Sequence, residues 1–399
     1  MKIVHVGLCG PVTDNWTYQD NLLPKYHKIN GHDVVLITSQ FIYDSNGKIT
    51  IDDRERYINE NNIKIIRLKT FKNKSIYYKF KKYIGLYEVI EKEDPDILFV
   101  HGVQFIDIKT IAKYLKRHPS CKVFVDNHAD FSNSASNWLS RNFLHKIVWR
   151  YYAKLIEPFT TKFYGVLPAR VDFLKHIYKV PEEKVDLLVM GADDEKVVEA
   201  CDEINQKDIR DKYGIKSTDF LIMTGGKIDL AKKQTLLLMQ AIKELDRKDI
   251  KLIVFGSIVE ELKNEVEYLS DGEKIQYIGW IDAEDSYKYF SASDLVVFPG
   301  RHSVFWEQVV ALGIPMIVKY WDGTNHIDIG GNCKFLHEDS VQEIADAIRE
   351  LAKDNFKIYK CMKKSALNEK HNEFLYSSIA NQSLQISNNS AGNKTQNER

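Results

Sequence analysis

The strongest constraint on this chain is an alternation that runs through it twice. Short apolar runs, Ile3–Leu8, Val34–Thr38, Ile63–Leu68, Ile97–His101, Val123–Asn127 and Phe163–Leu167, are separated by longer stretches, several of them amphipathic. Most runs are continuously apolar, as parallel strands buried on both faces require. Strands alternating with amphipathic helices are the signature of βαβ units and a doubly wound sheet. Leu187–Met190 closes this series, and Gly191–Tyr213 is charged and poor in strand formers. The pattern then restarts with Phe220–Thr224, Leu252–Phe255, Ile275–Ile278, Leu295–Pro299 and Pro315–Tyr320, with helical stretches at Leu236–Asp246 and Val341–Lys353. The reading is an α/β chain of two Rossmann-like domains facing a central cleft, residues 1–195 and 196–383. The last helix is expected to pack back on the first domain. The Asn- and Ser-rich tail, residues 384–399, has too little apolar surface to order itself.

Composition narrows the class. The length of 399 residues suits two or three domains of ~100–200 residues each. Lys and Arg (56) balance Asp and Glu (56), so overall charge gives no case for a nucleic-acid partner. The five cysteines, Cys9, Cys121, Cys201, Cys333 and Cys361, are scattered with no Cys-x-x-Cys, which predicts reduced thiols in a cytoplasmic protein. The opening MKIVHVGLCG is too short in its apolar part for a signal peptide and reads as a first strand.

In this architecture ligands meet the carboxyl ends of the strands, and polar residues cluster there. The first strand runs into Gly7-Leu-Cys-Gly10-Pro11, a turn where an anion or sugar can approach backbone N–H groups, with a helix expected from Asp14 or Asn15. His128 stands at the end of the fifth strand and is read as a substrate contact. Thr224-Gly-Gly226-Lys227 opens the second half, followed by Lys232 and Lys233, which suits a site for a leaving diphosphate. The Gly279-Trp280 turn offers backbone groups to a nucleobase. Gly300–Val304 precedes a helix carrying Glu307 in its first turns. An acid there repels phosphate and favours a hydroxyl-rich partner such as ribose.

Taken in order, these pieces resemble the retaining glycosyltransferases of family 4, which have the GT-B fold. The matching residues are the early Gly turn, Gly31-His-Asp-Val34, His128, Leu187–Asp193, Gly226-Lys227 through Lys233, Gly279-Trp280, and Phe298-Pro299 through Glu307 to Gly313-Ile-Pro315. The resemblance implies a nucleotide-sugar donor held by the C-terminal domain and an acceptor held by the N-terminal one. By that analogy His128 lies at the donor sugar and reaction centre, and Lys227 with Lys232 or Lys233 holds the diphosphate. Gly279 and Trp280 meet the base, and Glu307 the ribose hydroxyls. Gly10, Gly226, His302, Ser303 and Val304 line the donor site. Neither metal nor other cofactor is implied. Asp94-Pro95-Asp96 looks like a metal-binding Asp-x-Asp but is read as capping the following strand. The family's paired acids, separated by seven residues, are absent: neither Pro299 nor Gly300 is acidic, and Gln308 holds the usual place of the second acid.

Two basic, aromatic stretches, Lys69–Tyr83 and Arg141–Lys154, suggest an anionic membrane surface and a lipid-linked glycan acceptor. The expected function is transfer of a sugar to a glycan or lipid-linked hydroxyl in cell-surface polysaccharide or glycoconjugate synthesis, at the inner face of the cell membrane. The rivals are a nucleotide-sugar epimerase of the same fold and an inactive glycan- or nucleotide-binding partner.

Overall fold

The computed structural model describes residues 1–44, 47–70, 81–230 and 233–385. Lys232, most of the Lys69–Tyr83 stretch and nearly all of the expected disordered tail lie outside the described residues. The strands of the first half are β1 (Lys2–Gly7), β2 (Asp33–Ser39), β3 (Phe41–Tyr43), β4 (Ile49–Ile51), β5 (Arg56–Ile58), β6 (Lys64–Leu68), β7 (Ile97–His101), β8 (Lys122–Asn127), β9 (Lys162–Gly165) and β10 (Val185–Leu187). Those of the second half are β11 (Phe220–Gly225), β12 (Ile250–Phe255), β13 (Ile275–Tyr277), β14 (Leu295–Phe298), β15 (Met316–Lys319) and β16 (Cys333–Leu336).

Two sheets result. The first has the order β10-β9-β8-β7-β1-β2-β6-β5 and the second β13-β12-β11-β14-β15-β16. Every pairing in them is parallel except the edge strand β5 against β6. In each sheet the order reverses beside the first strand, β1 or β11, which makes a switch point where ligands bind in such folds. The continuous apolar runs are the central strands. Ile3, Val4, Val6, Phe99, Val100, Val123 and Val125 are wholly buried, because helices cover both faces.

The short strands β3, β4 and β5 are absent from the sequence reading. Each is only three residues long, too short to show a period. The expected strand at Leu187–Met190 forms two residues earlier, as β10. The first helix is also displaced: it spans Gln19–Ile29 rather than starting at Asp14 or Asn15. Asn15 has φ +62, which an N-cap in extended conformation excludes. Asp14 instead pairs with Arg54 at 2.9 Å and accepts from the Tyr57 hydroxyl at 2.7 Å. The charged stretch between the sheets forms helices Asp194–Ala200 and Glu203–Lys212, capped by Asp193 and Asp202.

The returning chain ties the halves together. Gly191 packs where a Cβ would stand 2.1 Å from the Phe374 carbonyl oxygen. Ala192 donates its N–H to that oxygen at 2.8 Å, and Tyr376 donates back to the Ala192 carbonyl at 3.0 Å. The final helix, Tyr376–Ser383, then lies on the helix Gln19–Ile29, with Asn30 donating to Asn381 at 3.1 Å. Asp193 binds both sides: it accepts from Lys25 and the Tyr26 hydroxyl, and its N–H donates to Tyr287 at 3.2 Å. One apolar cluster runs across this junction from Leu22, Tyr26 and Phe99 to Trp306, Tyr376 and Ile379.

Candidate functional site

At the N-terminal side, β8 carries Asp126 and ends one residue before His128. Asp126 is wholly buried, with Oδ2 2.7 Å from His101 Nδ1, at the end of β7, and 3.3 Å from His128 Nε2. The same oxygen accepts from Gln19 Nε2 at 3.0 Å. Burial by itself raises a carboxyl pKa, but the charges of His101 and His128 and the hydrogen bond from His101 outweigh it and hold Asp126 far below the carboxylate range. His128 keeps 38% of its side chain exposed, so one edge of its ring faces Asp126 and the rest is open to the cleft. The following loop is locked by Arg170, whose Nε donates to Asp130 at 2.9 Å, and by Asn133, which donates to the His128 carbonyl at 2.7 Å. Gly10 lies beyond β1 with nothing within 4 Å of where its Cβ would stand, so its backbone is open to a ligand.

At the C-terminal side, the end of β11 is built of glycine for packing. A Cβ on Gly225 would meet the Phe255 ring at 2.2 Å, and one on Gly256 the Gly226 carbonyl oxygen at 1.9 Å. Gly226 itself has φ +124, and its nearest neighbour to a Cβ would be the Phe305 ring at 4.0 Å. The peptide is therefore bare on the side that follows the strand. Lys227 comes next, 61% exposed and 3.6 Å from Asp229. Lys233 is exposed at the start of the helix Gln234–Glu244. Gly279 turns with φ +79 and accepts from Gly256 N–H at 2.7 Å, and Trp280 beside it is exposed.

The loop 300–304 and the helix Phe305–Ala311 follow β14. Glu307 is 0% exposed. Its Oε1 accepts from His302 Nε2 at 2.8 Å and His326 Nε2 at 2.9 Å, and Oε2 has no partner among the described residues. Burial opposes ionisation, but the two imidazoles prevail and set the pKa at about 2. In this conformation Glu307 is closed to a ribose and instead clamps the His302 loop to the segment Asn325–Ile327. Gln308, its neighbour, is also buried, with Oε1 unpaired. Ser303 and Val304 lie at the entrance of the short helix, half-buried.

Two His–carboxylate–His groups thus stand in the structure, His101–Asp126–His128 and His302–Glu307–His326, each with donor atoms within 4.8 Å of one another. Donors around one zinc at ~2.0–2.2 Å stand ~3.3 Å apart. The closest contacts, 2.7–2.9 Å, are hydrogen-bond lengths.

The two sides face each other. Ala169, at the start of the helix after β9, donates its N–H to the carbonyl of Gly323, in the loop after β15, at 3.1 Å. Buried Tyr376 lies in the fields of both Asp20, beside His101, and Glu307. So the loops beyond the carboxyl ends of β9 and β15 meet. Sequence reasoning missed Asp126, His101, Asp20 and His326. The signal for the first two was present, since both are polar at the end of an apolar strand. Asp20 and His326 carry none, because only folding brings them to the site.

Residues 205–369 match the family described as glycosyl transferases group 1. No curated protein sequence matches the chain. Among solved structures it is similar to a glycosyltransferase from Rickettsia africae (15% identity, 96% of this chain and 97% of that one, TM-score 0.67). It is equally similar to sucrose-phosphate synthase from Thermosynechococcus elongatus (15%, 96% and 96%, 0.66). A third is Anabaena HepE in complex with UDP (16%, 96% and 98%, 0.66). With its two facing parallel sheets and returning C-terminal helix, the chain has the GT-B fold of these neighbours, and the stretch 205–369 is similar to the glycosyl transferases group 1 family.

Proposed function

We propose that this chain transfers a sugar from a nucleotide-sugar donor to a glycan or lipid-linked hydroxyl, with retention of configuration. The carrying observation is the bare peptide at Gly226 with exposed Lys227 beyond it, at the end of β11. That arrangement suits a diphosphate: the Gly226 N–H is spent on the Phe255 carbonyl at 3.0 Å, but no side chain blocks approach to the turn, and Lys227 is an unburied cation to balance charge as the bond to the sugar breaks. The Anabaena neighbour, whose structure holds UDP, agrees with such a donor. Lys233 is the second cation, and Gly279 and Trp280 form the base end of the site. Loop 302–304 borders the phosphates, held by Glu307, and the ribose contact passes to a residue other than Glu307 in this conformation.

His128 sits where the sugar would react. With Nε2 turned to Asp126, its Nδ1 is free to accept from a sugar or acceptor hydroxyl. No protein nucleophile is required. Stabilising the leaving diphosphate and fixing the acceptor would supply most of the rate.

The acceptor reading rests on the segment 138–154. Leu139, Phe143, Ile147 and Tyr151 recur every fourth residue along the π-helix Ser140–Trp149 and the turn after it, and all are exposed, Ile147 at 58%. Trp138 is 76% exposed beside them, with Arg141, Lys146, Arg150 and Lys154 interleaved. An amphipathic, basic, aromatic surface of this kind favours the interface of an anionic membrane. It joins the loop after His128 through Ser134 Oγ, 2.9 Å from His145 Nε2. No helix among the described residues is long and apolar enough to cross a membrane. The reading is therefore a peripheral enzyme at the inner membrane face, taking a lipid-linked acceptor for cell-surface glycan synthesis.

A thermal-shift screen against nucleoside diphosphates and their sugar conjugates tests the donor. Ligand at 100 times its Kd stabilises by ~2.7 kcal/mol. A shift confined to one nucleotide, with slow hydrolysis of its sugar conjugate, is expected. Absence of any shift overturns the reading in favour of an inactive partner, and return of an isomerised donor sugar overturns it in favour of an epimerase.

A further inference from the structure

Three imidazoles lie in a row beneath the candidate reaction centre. His101 Nε2 is 3.0 Å from His5 Nδ1, and His5 Nε2 is 3.0 Å from His27 Nδ1. His27 Nε2 is 2.9 Å from Ser383 Oγ and 3.3 Å from the Ala380 carbonyl, in the last turn of the final helix. All three rings are buried, on strands β1 and β7 and the helix Gln19–Ile29. At the other end, His101 Nδ1 faces Asp126 Oδ2 at 2.7 Å and Asp20 Oδ1 at 3.2 Å.

Two hydrogen orders fit the row, a neutral one in which Ser383 donates to His27 Nε2 and one in which Ser383 donates to the Ala380 carbonyl, and the two carboxylates facing His101 Nδ1 favour the second. In that order Ser383 donates its hydroxyl to the Ala380 carbonyl at 2.8 Å, so its oxygen is an acceptor. His27 Nε2 therefore faces two acceptors and carries a hydrogen. Burial keeps His27 neutral, with a pKa of about 3, so its Nδ1 is bare. His5 must then donate from Nε2. Burial and the neighbouring imidazoles keep His5 neutral too, which leaves its Nδ1 bare. His101 must donate from Nε2, and its Nδ1 must also donate, because only carboxylate oxygens face it. Both ring nitrogens of His101 carry hydrogen.

We propose that this chain fixes His101 as a buried imidazolium under Asp126, making His101 a positioning residue for His128. The proposal rests on the transferase reading for its consequence, but not for its chemistry. The groups facing His101 are Asp126 and His128 from β8 and the loop after it, Asp20 and His27 from the helix Gln19–Ile29, and His5 from β1. His32 approaches only the far ring, His27. The cation lies between two carboxylates and keeps Asp126 anionic. The charge of Asp126, with Oδ2 3.3 Å from His128 Nε2, draws the His128 hydrogen toward that nitrogen and leaves Nδ1 for the substrate. His5 transmits the order: it is the acceptor without which the second His101 N–H would be buried and unpaired.

Imidazole nitrogen-15 spectra of the full-length protein test this without any substrate. At pH 8, where a free imidazole is neutral, His101 is expected to show two protonated nitrogens, and His5 and His27 hydrogen on Nε2 only. A neutral His101 in the wild type overturns the proposal, and this measurement needs no variant to fold. In His5→Phe the pH at which His101 loses its charge should drop by at least about one unit, a tenfold change in the protonated ratio. The alkaline limb of the donor-hydrolysis profile should move with it. An unmoved His101 titration shows that the chain does not order the ring. A moved titration with an unmoved rate profile removes the positioning role while leaving the transferase reading in place.

Discussion

The Ala169 main-chain N–H donates to the Gly323 carbonyl at 3.1 Å, joining the loop after β15 to the helix that follows β9. Gly323 has φ +71, and a Cβ there would stand 2.5 Å from Ala169 N. Gly323→Ala therefore combines a left-handed backbone cost of ~1–2 kcal/mol with a clash across the cleft. The expected result is a Tm lowered by only a few degrees and turnover reduced at least tenfold, because the two halves no longer meet at that contact. Wild-type turnover in this variant removes the contact from the working conformation.

Lys227 and Lys233 are exposed, and neither supports the core. Substituting either with alanine should change stability by no more than ~0.5 kcal/mol. Loss of one charge-stabilising donor typically costs ~10²–10³ in turnover. Paired Tm and donor-hydrolysis measurements check the separation. Near-normal turnover in both variants moves the diphosphate elsewhere.

Glu307 predicts an acid dependence. Its pKa is set at about 2, against an ordinary 4.5, by His302 and His326. A carboxyl depressed on folding contributes stability that is complete above pH 4.5 and is lost as pH falls toward 2. The contribution is about 3 kcal/mol. Glu307→Gln should be less stable than wild type at pH 7 by that order, and the gap should narrow between pH 4.5 and 2. Denaturant melts at a series of pH values measure it. A gap independent of pH would mean that packing alone accounts for the loss.

The exposed residues Trp138, Phe143 and Ile147 make no core contacts that their removal would forfeit. Replacing the three with serine should leave the Tm within a few degrees and cut sedimentation with anionic vesicles at least fivefold. Wild-type protein should prefer anionic to neutral vesicles, more so at low salt. Equal sedimentation with both vesicle types disposes of the membrane surface.

The sequence by itself determined the two series of buried parallel strands, since a strand covered on both faces must be apolar throughout. It also placed His128, Gly226, Lys227 and the 300–304 loop at strand ends, because each follows an apolar run within three residues. The tertiary structure alone decided what those residues touch. From the sequence Glu307 is an acid in a first helical turn, suited to ribose hydroxyls. The fold instead sets His326, nineteen residues onward, against it and buries the pair. His5 is a lone polar residue inside an apolar strand, and nothing local marks it. Its place in a row of imidazoles depends on β1 pairing with β7 and on the final helix bringing Ser383 to His27. Apolar periodicity is a local property of the chain. The protonation of a buried ring is set by partners as far as 356 residues away, and only packing brings them within hydrogen-bond reach.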